Sequence, residues 1–445
     1  MTTPRVGLAR GVGWRTAAAV VVANMLGTGV FTTSGLIARD VGSAWLLLAL
    51  WLAGGLIALA GALAYGELSA AMPEAGGEYV YLREAYGPVV AYLSGWTSFL
   101  AGFSGAIAAA TLAFASYASR LVPELGALDS RLIALVALWL LTAAHLAGAG
   151  LGGTFQAILT AATVIAIVAF VTLGFAAGRG ASANFVSSAP AHGSLAVALI
   201  FVLYAYSGWN AAAYLAGEVV EPQRGVPRAL LAGTAGVTAH YVSLNALYVW
   251  ALPVPEMSGV LAIGERAAES LFGPRAATVC GAIIALAILS SVSAMVFAGP
   301  RVYYAMARDG VLPRALGHAI TRSETPARAI ALQSVWVSVL IVCFGAFEPV
   351  VVYTGTVVAI FSAIAVAAVI VLRVRRPRLL RPFRTPGYPW LPAAYIAVCV
   401  WIFVYTAHAR PMETALGLAT AAAGLPIYWL SARHVSPRGQ GAADG

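Results

Sequence analysis

The sequence predicts an all-α polytopic membrane protein with twelve spanning helices. Three observations carry that prediction. Of 445 residues, 61% are hydrophobic and 10% charged, whereas a soluble domain carries about 25% charged residues. Apolar runs of about 20 residues, each enough to cross a bilayer, recur from end to end, without the short alternating segments of a barrel. The basic residues, all 26 of them arginine, are also unevenly placed: with a cytoplasmic N-terminus, 19 fall inside and 7 outside. That asymmetry fits an even number of spans with both termini in the cytoplasm. It accounts for the net charge of +9 without a nucleic-acid partner.

The spans are read at 14–38, 43–71, 86–118, 131–149, 153–178, 193–220, 227–251, 271–308, 326–346, 349–372, 388–408 and 412–431. The first follows Arg5, Arg10 and Arg15 and could pass for a secretory leader. Another apolar run follows it where a mature soluble domain would begin, so it is read as span 1. Spans 3 and 8 are long and must tilt or project from the bilayer. Between spans 2 and 3, "MPEAGGEYVYLREAYG" (72–87) reads as a short interfacial helix. Tyr79, Tyr81, Leu82 and Tyr86 would lie against the membrane surface, with Glu78, Arg83 and Glu84 in water. The arginines from Arg373 to Arg384 read as an anchor beside acidic headgroups of the membrane lipid. The small polar residues 436–445 read as a disordered cytoplasmic tail, leaving 1–435 as a single transmembrane domain.

Composition also excludes chemistry. Cys280, Cys343 and Cys399 all fall inside spans, where they are expected to pack as small apolar residues and not to form disulfides or a zinc site. A chain without lysine has no Walker A loop and no Schiff-base lysine. HExxH is absent too. No organic cofactor and no resident metal is expected.

Two spans are interrupted. Span 1 breaks at "NMLGTGVF" (24–31), and span 6 holds "YAYSGWNAAAY" (204–214) with Ser207-Gly208 at its middle. Glycine inside a helix costs roughly 1 kcal/mol against alanine. If spans 1–5 (about 14–178) and 6–10 (about 193–372) are two repeats, with two extra spans at about 388–431, both breaks fall in the first helix of a repeat. Paired interruptions of this kind point to a transporter's binding site. A break exposes unpaired amides and carbonyls, which cost several kcal/mol each in hydrocarbon unless satisfied. An amino acid zwitterion satisfies both. Its carboxylate suits the amides of Thr28, Gly29 and Val30, and its ammonium suits carbonyls near Met25, Leu26, Tyr204 and Ala205. The alternative is that the small residues only let helices touch.

Longer motifs extend this. "GTGVF" (27–31), "AYGELSAAMPEAGGEYVYLREAYGP" (64–88), "YSGWNAAAYLAGEVVEPQRGVPRA" (206–229) and "AGPRVYYAMARDGVLP" (298–313) resemble the amino acid–polyamine–organocation superfamily, and within it the L-type amino acid permeases. The resemblance implies a leucine-transporter-like fold of five plus five inverted spans with discontinuous spans 1 and 6. It implies alternating access by rocking of spans 1, 2, 6 and 7. It places substrate at Met25, Leu26, Gly27, Thr28 and Gly29 and at Tyr204, Ala205 and Ser207. Tyr204 matches the family's gating aromatic. Asn210 matches an asparagine expected to satisfy backbone beside the break. Several relatives carry a span 5 lysine that stands in for sodium; "LTAATVIA" (159–166) offers Thr163 instead.

The coupling therefore needs its own account. Ala287, Ser290 and Ser291 share one face of span 8 by their i, i+3, i+4 spacing. With the Ala23 and Leu26 carbonyls, and Thr163 nearby, they resemble the second sodium site of sodium-coupled members of the fold. Exchange, proton coupling and sodium coupling all stay open, with Na+ or H+ as the possible coupling ion. Among other polar residues, His240 is a packing histidine or a proton relay. Glu67 and Glu218 are expected to pair with loop arginines. "GFSG" (102–105) allows an intramembrane serine protease with Ser104 as nucleophile and His240 as base, and a channel or sensor is a third class. The apolar, hydroxyl-bearing stretch 94–110 offers no buried counter-charge, which favours a neutral amino acid substrate. The sequence is thus read as a non-enzymatic transporter of the cytoplasmic membrane.

Overall fold

The computed structural model describes residues 11–74, 76–147, 153–308, 311 and 327–432. The tail at 436–445 and part of the motif at 298–313 lie outside them. Helix dominates, and the described residues contain only two isolated β-bridges, Val12–Val219 and Ser43–Ser188.

In chain order the helices are α1 (Trp14–Met25), α2 (Gly29–Val41), α3 (Ala44–Ala71), α4 (Glu78–Tyr86), α5 (Pro88–Thr97), a π turn at Ser98–Phe103, α6 (Ser104–Leu121) and α7 (Ser130–Leu146). They continue with α8 (Gly153–Ala177), α9 (Leu195–Ala205), α10 (Ala211–Tyr214), α11 (Pro222–Ala251), α12 (Val254–Met257) and α13 (Ile263–Phe272). The last are α14 (Pro274–Arg308), α15 (Ala327–Phe344), α16 (Phe347–Arg375), α17 (Trp390–Ala409) and α18 (Pro411–Ala432). Local chemistry sets several boundaries. Ser43, Asp129 and Ser194 cap α3, α7 and α9 by accepting backbone N–H bonds, satisfying otherwise orphaned donors. Gly42, at φ +63, ends α2 in the left-handed conformation that terminates many helices.

Among the described residues, seven helical stretches are each long and apolar enough to cross a membrane, and α1 with α2, bent by 46°, makes an eighth. The other four expected spans coincide with α7, α9–α10, α11 and α18, which are too short or too polar to meet that standard alone. The molecule is an integral membrane protein of many helices. α3 packs along α11, α1 along α11, α2 against α9 and α14 against α6.

Two expectations are corrected here. α4 does not lie on the surface: Val80, Tyr81, Leu82 and Ala85 are buried, and Tyr86 Oη donates to the Ile364 carbonyl of α16 at 3.1 Å. Arg83 and Glu84 do reach outward, but Glu78 turns in, toward α3 and the segment after α9. The reason is local. Gly77, at φ +52, has its α-carbon against the Tyr214 ring, where a β-carbon would come within 2.7 Å. The chain enters α4 directly beneath α10. Span 3 is also not one regular helix. Its π turn presents carbonyls sideways, Leu100 accepting from Trp336 Nε1 at 2.8 Å and Ala101 from Thr354 Oγ1 at 3.3 Å. Those bonds stitch the widened turn to α15 and α16.

Candidate functional site

The two breaks meet. Gly29, the first residue of α2, lies so close to α9 that a β-carbon on it would sit 2.3 Å from Ala205 Cα. Gly208, at φ +96, closes against Asn24 of α1, a conformation that only glycine adopts freely. Leu26 leaves the helical region at ψ 75, and the chain re-enters helix three residues later. The amides of Thr28, Gly29 and Val30 make no protein hydrogen bond among the described residues. They form a buried, unpaired donor set at the N-terminus of α2, where the helix dipole favours an anion.

The carbonyl side is organised differently from the sequence-based expectation. Tyr241 Oη, from α11, donates to the Met25 carbonyl in a very short contact and lies 3.1 Å from the Ala205 carbonyl. One hydroxyl therefore spans the last carbonyls of both helix stubs. The Tyr204 carbonyl accepts from Ser207 N at 3.0 Å. Of the four carbonyls proposed for an ammonium, only that of Leu26 has no donor among the described residues. Tyr241 is held by its own ring contacts, edge-on to Trp51 at 5.4 Å and to Tyr206 at 5.0 Å. Its signal was present in the sequence. Thr234, Thr238, Tyr241 and Asn245 follow a four-three-four spacing, a polar stripe on one helix face, and all four are buried. Asn245 Oδ1 accepts from Ser34 of α2 at 2.6 Å.

Tyr204 is placed over the break of span 1. Its hydroxyl is 3.1 Å from Thr28 Oγ1, and its ring meets Phe347 of α16 edge-on at 5.8 Å. At that end Arg39 grips Glu348 through two bonds of 2.9 and 3.0 Å, and Arg410 joins the same carboxylate. The pairs tie α2 to α16. At the opposite end Glu67 receives Arg373 at 2.8 and 2.6 Å and the Thr385 amide at 2.7 Å.

Other expected residues divide. Glu67 pairs with arginines as expected. Glu218 does not: its backbone carbonyl accepts from Gly11 and Val12, and no arginine pairs with its carboxylate among the described residues. Asn210 does not satisfy the break's backbone. Its amide donates to Glu78 Oε1 at 2.9 Å, because α4 lies beneath α10. His240 bonds the Gly236 carbonyl of its own helix at 3.2 Å. No hydrogen bond joins it to Ser104, whose hydroxyl is buried without a partner, so the protease alternative loses its base. Cys280, Cys343 and Cys399 are all free thiols. The described residues hold no acid–thiol–imidazole cluster able to bind a metal ion.

Ala23, Leu26, Thr163, Ala287, Ser290 and Ser291 are brought together, joined by Thr160, around a cavity of about 10 Å³. That is room for one water or one small ion. A larger cavity of about 410 Å³ opens between α15, α16 and α18 and takes no residue from either break.

The family model for amino acid permeases matches residues 12–428. Large neutral amino acids transporter small subunit 2 of Homo sapiens is 28% identical over 96% of this chain and 81% of its own length. Serine/threonine exchanger SteT of Bacillus subtilis (strain 168) is 29% identical, covering 96% of this chain and 98% of its own. Cystine/glutamate transporter of Homo sapiens is 27% identical over 96% and 85% respectively. Since the match runs from before α1 into α18 and takes in both broken helices, the chain belongs to the amino acid permease family.

Proposed function

We propose that the chain carries neutral amino acids across the cytoplasmic membrane by alternating access, by exchange or by cation symport. The observation that carries this reading is the meeting of two broken helices, with three unpaired amides at one stub and a shared tyrosine across both carbonyl ends. A carboxylate completes the amide set, and an ammonium finds the Leu26 carbonyl. The proposed architecture is twelve spans, two inverted repeats of five (14–178 and 193–372) plus two more (388–431), with both termini cytoplasmic. The ion pairs Arg39–Glu348 and Glu67–Arg373 lie at opposite ends and would open in alternation.

Neutral side chains are favoured because neither break contributes a charged residue between Met25 and Val30 or between Tyr204 and Ser207. A buried unpaired charge costs several kcal/mol. The names of the large-neutral and serine/threonine relatives agree with this; that of the cystine/glutamate relative shows that the family also takes charged substrates. The fitting experiment is uptake by purified protein in liposomes across a panel of labelled amino acids. Saturable uptake of neutral ones, competed by other neutral ones, is expected. High-affinity arginine or glutamate uptake without neutral competition would refute the substrate class.

The small cavity at Ser290 and Ser291 is lined by neutral oxygens with no carboxylate. We expect it to hold water, so replacing sodium by choline should change uptake by less than about twofold, under 0.5 kcal/mol. A strict sodium requirement that disappears in Ser290→Ala would instead make it a sodium site.

A further inference from the structure

Glu78, half-buried, is distinct among the buried and half-buried acids of this protein, of which Asp40 pairs with Arg39. Glu67 is paired with Arg373 and Arg381, Glu348 with Arg39 and Arg410, and Glu265 with Arg120. Glu78 has no cation partner among the described residues. Its Oε1 accepts from Tyr65 Oη at 2.5 Å and from Asn210 Nδ2 at 2.9 Å, three residues beyond Ser207 of the break. The titratable groups that face it are Tyr65 of α3, Tyr81 of its own helix, Tyr214 of α10 and Tyr395 of α17, with Ser94 of α5 as a neutral neighbour. None is a cation. The nearest arginine in sequence, Arg83, turns to Glu74 and Glu84, and Arg376 also goes to Glu84.

A carboxylate enclosed by four tyrosines and an amide, without counter-charge, has one inexpensive route to neutrality, which is to bind a proton. We propose that Glu78 is a proton-binding site of the transport cycle, protonated when the mouth beneath the α9–α10 break closes over it and deprotonated when that mouth opens to water. The proposal rests on the transport reading above. The proton comes from bulk water and leaves to bulk water, and no covalent bond to substrate forms. Asn210 and Gly77 supply the coupling: both hold Glu78 against the segment that follows the break, so the carboxyl senses its position directly.

The electrostatics agree with the geometry. Burial pushes the Glu78 carboxyl above the usual carboxylate range, against the opposing pull of hydrogen bonds from Tyr65, Asn210 and Ser94. In an open, wetted mouth the group returns toward its ordinary value. The form with the higher pKa is the one that acid favours. The closed mouth is therefore stabilised at low pH, and that stabilisation is lost as pH rises through the raised value.

The test uses the full chain in liposomes loaded with a fluorescent pH dye, with a neutral amino acid gradient imposed. Wild-type uptake should acidify the lumen and fall by roughly fivefold between about pH 5.5 and pH 8, the range above an ordinary glutamate's titration. Glu78→Gln should flatten that profile and abolish acidification per molecule transported. Tyr65→Phe removes a donor that stabilises the ionised form, so it should move the midpoint to higher pH. Wild-type uptake with a flat profile and no acidification would overturn the proton site and leave the transport reading standing. So would a wild-type profile retained in Glu78→Gln, or an unmoved midpoint in Tyr65→Phe. Absence of uptake of any amino acid would remove the transport reading and the proton site with it.

Discussion

Gly29→Leu is expected to abolish amino acid uptake, and Gly29→Ala to reduce it at least about tenfold. The alanine variant is the more informative, because the distances leave no room even for a methyl group. Its β-carbon would meet Ala205 Cα at 2.3 Å, Cβ at 2.4 Å and N at 3.1 Å. The first and last of these are backbone atoms, which cannot rotate away as a flexible side chain can. α2 and α9 must separate instead, and the amides of Thr28, Gly29 and Val30 move with α2. Overpacking of this kind costs about 1–3 kcal/mol, which a large helical protein survives; a shift of the proposed carboxylate site by a fraction of an ångström is what should stop transport. The check pairs initial uptake rates with yield and monodispersity in detergent. Wild-type kinetics in Gly29→Ala would show that the helices do not cross there.

That argument also marks how far the sequence reaches. Both breaks were legible, since glycine and hydroxyl residues inside apolar runs violate helix preference locally. So were the Glu67 pairing and the grouping of Ala23, Leu26, Thr163, Ala287, Ser290 and Ser291, because helix spacing and a family resemblance fix them. What Gly29 touches is not legible: the sequence offers its amide to a carboxylate, but nothing local shows that its bare α-carbon faces Ala205. Contacts between elements 176 residues apart are set by how helices cross, which no local pattern encodes. The π turn at Ser98–Phe103 has the same origin, with its irregular carbonyls answered by Trp336, Tyr353 and Thr354 from distant helices. The sequence places Glu78 in water because α4 is amphipathic in isolation. The positive φ of Gly77, invisible in an amphipathic pattern, lets the chain enter α4 beneath α10, so that Glu78 alone of that face turns inward.

Tyr241→Phe should lower turnover by roughly tenfold or more, although it removes a single oxygen atom. Among the described residues, the phenol is the one side chain that hydrogen-bonds the last carbonyls of both α1 and α9. Without it the buried Ala205 carbonyl loses its donor, at about 1–3 kcal/mol for an unsatisfied group, the Met25 carbonyl keeps only the Gly27 amide at 2.7 Å, and the stubs are no longer fixed relative to each other. A decade in rate corresponds to about 1.4 kcal/mol, so a loss of this size needs only part of that cost to fall on the step that closes the breaks. The ring stays, and with it the contacts to Trp51 and Tyr206, so the packing is preserved. Tyr206→Phe is the matched control. Its hydroxyl donates to the Trp51 carbonyl at 2.9 Å, in the same aromatic cluster, but reaches neither stub. Both variants should lose similar thermal stability, and only Tyr241→Phe should lose most of its turnover. Equal losses of transport in the two would reduce Tyr241 to a packing residue. Full transport in Tyr241→Phe would mean that the carbonyl ends are held in place without it, and that the ammonium site extends to Met25 and Ala205 after all.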